Sequence, residues 1–217
     1  MERQSQLFSE RRQVTIPGLT YVAEFVTQAE EQSLIKRIDA GIWSHEFARR
    51  RQHYGIGYAN ANVNAPVPLP PWIDAIARRI VEQKLFACMP VQALVNEYLP
   101  GQGISAHRDY EPFDEVASLS LASECLMEFG KLASTSRHEL WLERRSLLVL
   151  VGEARYQWTH AIRPRLNDTL DGVKLARQRR LSLTFRTTKS DHDHYGMSRR
   201  APKATVTRSD ERGSVVG

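Results

Sequence analysis

The chain has 217 residues, of which 41% are hydrophobic and 25% charged, a balance typical of a globular rather than a disordered protein. It contains no apolar run long enough to span a bilayer and no apolar signal core at its N-terminus, so we expect a soluble, cytoplasmic protein without membrane contact. Its two cysteines, Cys88 and Cys125, suggest neither a disulfide framework nor a cysteine metal site. The net charge of +5 is compatible with a polyanionic partner but does not identify one.

Two amphipathic helices are predicted in the first part of the chain. Thr27 and Glu30 form a capping-box pattern before an apolar stretch, and Gly41 is placed as a stop signal. A second helix is predicted from Pro71, a residue favoured in the first helical turn, with apolar residues following at helical spacing. Both helices are expected to lie against one side of a sheet.

A basic and aromatic segment lies between the two predicted helices. It contains Arg49, Arg50, Arg51, His53, Tyr54 and Tyr58. Basic residues beside aromatic ones on a flexible segment suit phosphate contact combined with base stacking. An exposed loop with a solvated run of charge explains the same residues equally well.

From Val91 onward the hydrophobic period changes to two. Seven strand-like runs follow, separated by turn-forming residues: "QALVNEYL", "ASLSLA", "CLMEF", "HELWLE", "SLLVLV", "YQWTHAI" and "RLSLTFR". This succession predicts an α+β, mainly β fold, a double-stranded β-helix or jelly roll with N-terminal buttressing helices. We expect one domain over residues 13–190, a flexible arm at 1–12 and a flexible polar tail at 191–217.

The stretch "SAHRDY" places His107 and Asp109 two residues apart on an extended segment, so their side chains can converge while Arg108 faces away. A third ligand can come from a distant strand, and His160 in "RYQWTHAI" is the best candidate. Two histidines and one carboxylate form the facial triad of non-haem Fe(II) sites, whereas zinc prefers closed tetrahedral sites or three ligands plus water. The H-x-D pattern alone often arises by chance.

Two further strands carry polar residues that suit a small dianion. Arg180 and Arg186 lie on one face of "RRLSLTFR", and an arginine fork binds a carboxylate through two hydrogen bonds. Asn96 and Tyr98 share one face of the strand that leads into "SAHRDY", where they could contact the same acid. The alternatives are a polar outer face for the first strand and half-buried polar residues for the second.

The chain resembles the AlkB-like 2-oxoglutarate- and Fe(II)-dependent dioxygenases in the order of four motifs. They are "NEYLPGQGISAHRDYEPF", "SLSLASECLMEFG", "RRSLLVLVGEARYQWTHAIRPR" and "RRLSLTFR". The resemblance covers about residues 96–186 strongly and reaches back more loosely through "RRRQHYGIGY" and "PLPPW" to "IPGLTYVAEF". Within the family, the chain is most similar to the branch with the animal tRNA wobble-uridine hydroxylase and its bacterial relatives.

The resemblance implies roles for the candidate residues. Fe(II) would be held by His107, Asp109 and His160. 2-Oxoglutarate would contact Asn96, Tyr98, Arg180 and Arg186, with Arg180 at the distal carboxylate and Arg186 nearer the metal. The segment from Arg49 to Tyr58 would be a nucleotide-recognition lid, and O2 would complete the set of co-substrates.

The function that we expect from this resemblance is oxidative demethylation of alkylated bases in DNA or RNA by a monomer, with release of succinate, CO2 and formaldehyde. The alternatives are a tRNA-modifying hydroxylase, an oxygenase of a small molecule or peptide, and a non-catalytic binding module. The animal hydroxylase also carries an RNA-recognition module and a methyltransferase domain, for which 217 residues leave no room, so the same substrate is not implied. Asp109→Ala is expected to remove turnover and largely spare stability.

Overall fold

Three helices and twelve strands make up the described part of the chain, which comprises residues 15–46, 48–56 and 68–189 of a computed structural model. The helices are α1 (Gln28–Asp39), α2 (Pro71–Glu82) and α3 (Gly152–Tyr156). The strands are β1 (Leu19–Val22), β2 (Arg51–Gly55), β3 (Gln92–Tyr98), β4 (Ile104–His107), β5 (Phe113–Leu121), β6 (Cys125–Lys131), β7 (Arg137–Leu142), β8 (Leu147–Leu150), β9 (Trp158–Ile162), β10 (Asn167–Leu170), β11 (Val173–Ala176) and β12 (Arg180–Thr188). Tyr58 and the predicted arm and tail lie outside these residues.

The strands form two antiparallel sheets and a hairpin. The larger sheet has the order β1-β8-β5-β12-β3-β2, the smaller one has the order β4-β9-β6-β7, and β10 pairs only with β11 among the described strands. The last strand, β12, therefore lies in the middle of the large sheet, between β5 and β3. The predicted jelly roll is confirmed.

The two faces of the large sheet bury different sets of side chains. On β12, Leu181, Leu183 and Phe185 are fully buried in a cluster with the apolar faces of α1 and α2. The opposite face packs against the small sheet, and Leu148 of β8 and Phe129 of β6 belong to a second cluster there. Because the hydrophobic period is two, successive side chains of a strand point alternately to the helix side and to the space between the sheets.

Both predicted helices are present and pack on the same side of the large sheet. The capping box at the start of α1 is formed, because Glu30 N–H donates to Thr27 Oγ1 (3.2 Å) and Thr27 N–H donates to Glu30 Oε2 (2.8 Å). Pro71 is the first residue of α2, as predicted. An ion pair between Arg79 of α2 and Glu30 joins the two helices. None of the helices in the described residues is long and apolar enough to cross a membrane.

Thr27→Ala should lower the free energy of unfolding by about 1 kcal/mol, because it leaves an N–H of the first turn of α1 without its acceptor. Thr27→Ser keeps the hydroxyl and is the matched control. Urea unfolding of both variants measures the difference. Equal stabilities of the alanine and serine variants would contradict a contribution from the cap.

Two elements differ from the prediction. The segment around residues 51–55, expected to be flexible, forms the edge strand β2, in which Arg51 lies opposite Asn96 of β3. The run "YQWTHAI", predicted as one strand, begins with the end of the short helix α3, and β9 starts only at Trp158. Both differences arise from pairing with distant strands, which a local hydrophobic period does not encode.

Candidate active site

His107 and His160 face each other across neighbouring strands of the small sheet. They are register partners, His107 at the end of β4 and His160 in the middle of β9, and their ring centroids lie 4.4 Å apart. The preceding turn requires a glycine, since a Cβ on Gly103 would lie 2.2 Å from the carbonyl oxygen of Ile162. Gly103 therefore lets β4 approach β9 closely enough to bring the two imidazoles together.

Asp109 lies two residues beyond the end of β4, and its side chain is buried beside these rings. Its Oδ2 atom is 3.6 Å from Nε2 of His160 and has no hydrogen-bond partner among the described residues. Its Oδ1 atom accepts a hydrogen bond from Nε of Arg186 at 2.7 Å. Burial alone would raise the pKa of Asp109, but the Arg186 guanidinium holds it below its ordinary value, so the carboxyl is ionised.

The two histidines are prepared to accept a cation through one nitrogen each. Nδ1 of His107 lies 2.9 Å from the carbonyl oxygen of Ser105, which can only accept, so this contact suits the tautomer that has its proton on Nδ1 and the lone pair for a metal on Nε2. Burial lowers the pKa of His160 to about 4, so its imidazole is neutral at pH 7.

The donor set of these three side chains, two imidazoles and one carboxylate with an oxygen that lacks a partner among the described residues, suits an octahedral Fe(II) site. As the side chains stand, no three histidine, cysteine, aspartate or glutamate residues within the described ranges enclose a preformed metal position. Binding of one ion by His107, Asp109 and His160 therefore requires a movement of these neighbouring side chains.

Arg180 is a buried cation with unused donors in the same region. It is 2% exposed, and its Nη2 atom donates to Oγ of Ser120 at 2.7 Å. Its Nε and Nη1 atoms are buried and have no acceptor among the described residues. Leaving such N–H groups unpaired is costly, so the site is suited to a ligand that brings a carboxylate.

A cavity of about 420 Å³ between the two sheets connects Arg180 with the three candidate metal ligands. It brings together every residue predicted to hold the metal or 2-oxoglutarate: Asn96, Tyr98, His107, Asp109, His160, Arg180 and Arg186. Arg186 lies beside the candidate metal ligands, where it donates to Asp109 and also to Oε1 of Gln92 at 2.8 Å. Burial raises the pKa of Tyr98, so its hydroxyl stays protonated and can donate to a ligand.

The predicted substrate residues are divided between the two faces of the β2 region. Arg49 and Arg51 line the cavity, and His53 is exposed and outside the lining. Arg50 points to the helix side, where it pairs with Glu97 at 2.6 Å and lies over the ring of Trp43. Tyr54 packs edge to face against Trp72 on that side, away from the cavity. A strand places alternate residues on opposite faces, so a continuous basic and aromatic run does not form one contact surface.

Sequence reasoning missed α3, which anchors the loop that carries Asp109. Buried Arg155 donates through Nη2 to the carbonyl oxygens of Tyr110 and Phe113, both at 2.8 Å. Nη1 of Arg108 donates to the carbonyl oxygen of Tyr156 at 3.0 Å. The residues on both sides of Asp109 are therefore tied to α3. The one available signal was an arginine shortly after the apolar run of β8, separated from that strand by residues 151–154.

Arg155→Met should weaken divalent-metal binding about tenfold, because groups that orient metal ligands typically contribute 10- to 100-fold to affinity. Titration with Mn(II), followed by electron paramagnetic resonance, measures this change. Arg78→Met, on the outer face of α2, is the control. A variant that loses stability but binds Mn(II) as tightly as the parent would contradict this role.

Comparison with known proteins gives a consistent picture. Residues 45–186 match the 2OG-Fe(II) oxygenase superfamily. The chain is 38% identical over 169 residues to the tRNA (carboxymethyluridine(34)-5-O)-methyltransferase alkbh8 of Xenopus tropicalis, covering 71% of this chain and 26% of that protein. It is 36% identical over 208 residues to the Alkylated DNA repair protein ALKBH8 homolog of Arabidopsis thaliana, covering 82% of this chain and 60% of that protein. The chain thus spans about a quarter of the first relative and three fifths of the second.

Among solved structures, the fold is similar to that reported as the structure of OsALKBH1. The TM-score is 0.62 at 19% sequence identity, and the match covers 81% of this chain and all of the other. At this identity the likeness concerns the fold alone, and it supports the jelly-roll assignment.

Proposed function

The chain belongs to the AlkB-like group of 2-oxoglutarate- and Fe(II)-dependent oxygenases, and we propose that it oxidises a modified base in DNA or RNA. It is accordingly a dioxygenase, of a family that uses Fe(II), 2-oxoglutarate and O2. The names of the frog and plant relatives refer to tRNA and to alkylated DNA, which supports a nucleic-acid substrate. The reaction that we propose first is demethylation.

One observation carries the assignment of the site. The cavity holds two buried polar groups of opposite charge that lack partners among the described residues, Oδ2 of Asp109 and the Nε and Nη1 atoms of Arg180. The Asp109 oxygen suits a bound cation, and the Arg180 nitrogens suit a bound anion. Fe(II) and the distal carboxylate of 2-oxoglutarate satisfy both requirements at once.

Each residue then has a defined task. His107, Asp109 and His160 would hold Fe(II), and Arg186 keeps the Asp109 carboxylate ionised and oriented. Arg180 would bind the distal carboxylate of 2-oxoglutarate, with hydrogen bonds from Asn96 and Tyr98. When bound, Fe(II) with 2-oxoglutarate and O2 supplies the oxidation of a C–H bond, with release of succinate and CO2.

The rest of the cavity positions the base and limits water. Its apolar wall is formed by Leu94, Ile104, Val116, Met127, Leu148, Leu150 and Ile162. A base in a duplex must be flipped out to enter such a cavity, whereas an unpaired base can enter directly. On an N-methyl group, hydroxylation gives an N-hydroxymethyl group whose C–N bond breaks as the hydroxyl proton passes to nitrogen, releasing formaldehyde and the free base.

The second candidate is tRNA hydroxylation, favoured by the tRNA activity named for the frog relative. There the attacked carbon is not attached to a ring nitrogen, so the product keeps its hydroxyl. The same iron site serves both reactions, and only the product distinguishes them.

The test is a screen for succinate formation with oligonucleotides that carry single methylated bases, and with unfractionated tRNA. Demethylation predicts one formaldehyde per succinate and restoration of the unmodified base by mass spectrometry. A mass gain of one oxygen on tRNA without formaldehyde would replace demethylation by hydroxylation. Turnover of peptides or small molecules with none of any nucleic acid would contradict a nucleic-acid substrate.

A further inference from the structure

The strand that carries His107, β4, has few contacts within its own sheet. It has four residues and lies at one end of the small sheet, where β9 is its strand neighbour among the described strands. Its pairing with β9 is irregular between Ile104 and His107. A short edge strand with an interrupted ladder opens more readily than a central strand, so the position of His107 depends on contacts outside the ladder.

Two hydrogen bonds join the turn before β4 to the segment before β2. Nη1 of Arg49 donates to the carbonyl oxygen of Gly103 at 2.6 Å. Nε2 of Gln102 donates to the carbonyl oxygen of Ala48 at 2.8 Å. Each of the two segments thus supplies one side-chain donor and one backbone acceptor, and we refer to this pair of hydrogen bonds as the clasp.

The clasp connects the two sheets at the edge of the cavity. Among the described strands, β2 is the outermost of the large sheet, and β4 is the outermost of the small sheet. Arg49 and Ile104 both line the cavity. On its other side the turn lies against β9, because a Cβ on Gly103 would be 2.2 Å from the carbonyl oxygen of Ile162. The turn before β4 is therefore fixed between β9 and Arg49.

Both donors of the clasp are held in place by further contacts. Oε1 of Gln102 accepts a hydrogen bond from the N–H of Leu99 at 2.9 Å, which orients the amide group. The guanidinium carbon of Arg49 lies 5.2 Å from the centre of the Tyr98 ring, within the range of a cation–π contact. These contacts favour a role of Arg49 in holding the turn over the phosphate contact that its position in a basic run predicts.

We propose that Arg49 is a positioning residue, which together with Gln102 holds β4 and thereby fixes His107 relative to the base in the cavity. Without the clasp, the turn and the segment before β2 can move apart, so the base and the metal ligands lose their common frame. 2-Oxoglutarate is then consumed without oxidation of the base. The statement about the base rests on the proposed function, whereas the effect on β4 does not.

Hydrogen exchange of the full chain, followed by mass spectrometry, tests the clasp before any nucleic acid is added. The variants are Arg49→Met and Gln102→Met, each of which removes one donor and keeps an unbranched side chain. Peptides over residues 99–107 should exchange at least about tenfold faster in Arg49→Met than in the parent protein, as expected for loss of a hydrogen bond from a charged donor. Gln102→Met should have a smaller effect on the same peptides, and β12 should keep its parent rates in both variants.

Arg50→Met is the matched control. Arg50 is the next residue along the chain but lies on the helix side, and its partner Glu97 keeps a second ion pair, with Arg179, when Arg50 is removed. Exchange over residues 99–107 should therefore keep its parent rate in this variant.

The second readout is the amount of succinate formed per oxidised base. The parent protein should form the two products in equal amounts. Arg49→Met should form at least about threefold more succinate than oxidised base, because a small misplacement of reacting groups can lower a rate by about 100-fold. A variant that is merely less stable would lose both products in proportion.

The salt dependence of oligonucleotide binding distinguishes the clasp from a phosphate contact. Loss of one phosphate contact to a single strand reduces the slope of log K against log salt concentration by about 0.7. If Arg49 acts through the clasp, Arg49→Met should keep the slope of the parent protein. Fluorescence anisotropy without O2 measures this slope.

Four results would overturn the proposal: parent exchange rates over residues 99–107 in Arg49→Met, an equal acceleration in Arg50→Met, a reduced salt slope, or faster exchange with an unchanged ratio of succinate to oxidised base. If the parent protein oxidises nucleic acid and exchange is unchanged in Arg49→Met, the clasp fails and the proposed function stands. If exchange is accelerated but the parent protein oxidises no nucleic acid, the clasp stands and the proposed function fails.

Discussion

Arg180→Met is expected to weaken 2-oxoglutarate binding by at least about 100-fold, because two charge-assisted hydrogen bonds of about 1.5–3 kcal/mol each are lost. The fold should tolerate the change, since two of the three guanidinium nitrogens already lack partners in the described part of the chain. At a 2-oxoglutarate concentration 100 times the parent Kd, the ligand should stabilise the parent protein by about 2.7 kcal/mol. The variant should gain about 0.4 kcal/mol or less. Urea unfolding with and without 2-oxoglutarate measures both effects.

Arg177→Met is the matched control, because Arg177 is also a buried arginine but each of its three guanidinium nitrogens donates a hydrogen bond. It binds Asp168 through Nε and Nη2 at 2.8 Å, and its Nη1 atom donates to the carbonyl oxygen of Arg163 at 2.7 Å. Removing it leaves a buried carboxylate with one arginine, Arg165, so we expect a loss of about 3 kcal/mol in stability. Arg180→Met with a similar loss of stability and an intact response to 2-oxoglutarate would contradict a co-substrate role.

Asp109→Asn and Asp109→Ala should both reduce succinate formation to the background of metal-free protein, yet differ in stability. The alanine variant leaves the buried Arg186 guanidinium without its carboxylate, which should cost about 3–5 kcal/mol. The asparagine variant still accepts a hydrogen bond from Arg186 through its side-chain oxygen, so we expect a loss of about 1–2 kcal/mol. Urea unfolding measures the stability of each variant, and succinate formation by the same preparations measures its turnover.

These expectations correct the sequence-based one, in which Asp109→Ala spares stability. The ion pair between Arg186 and Asp109 joins residues far apart in the chain, and the sequence offers no sign of it. Equal stabilities of the alanine and asparagine variants would show that this pair contributes little. Substantial turnover by either variant would exclude Asp109 as a metal ligand.

The sequence predicted the structure best where a local pattern is compatible with only one local structure. The alternation in "RRLSLTFR" places Arg180 and Arg186 on the face opposite Leu183 and Phe185, and in the structure the first face lines the cavity and the second lies on the helix side. The capping box of α1 was equally readable, because its two hydrogen bonds lie within four residues. In both cases every interaction that decides the structure is local or follows from strand geometry.

The sequence was least informative where long-range pairing decides the outcome. The run from Arg49 to Tyr54 has uniform character, but its pairing with β3 sends Arg51 into the cavity and Arg50 to the opposite face. The anchoring of the Asp109 loop by Arg155 depends on two backbone carbonyls more than 40 residues away in the chain. Which residues contact the substrate therefore follows from strand register rather than from composition.

The most direct test of the central claim is an absorption spectrum of the protein with Fe(II) and 2-oxoglutarate under anaerobic conditions. If His107, Asp109 and His160 hold Fe(II) and Arg180 holds 2-oxoglutarate beside it, a visible metal-to-ligand charge-transfer band should develop only when both are added. The band should be absent in Asp109→Asn and should require far more 2-oxoglutarate in Arg180→Met. No band in the parent protein, or the same band in Asp109→Asn, would contradict the assignment of the site.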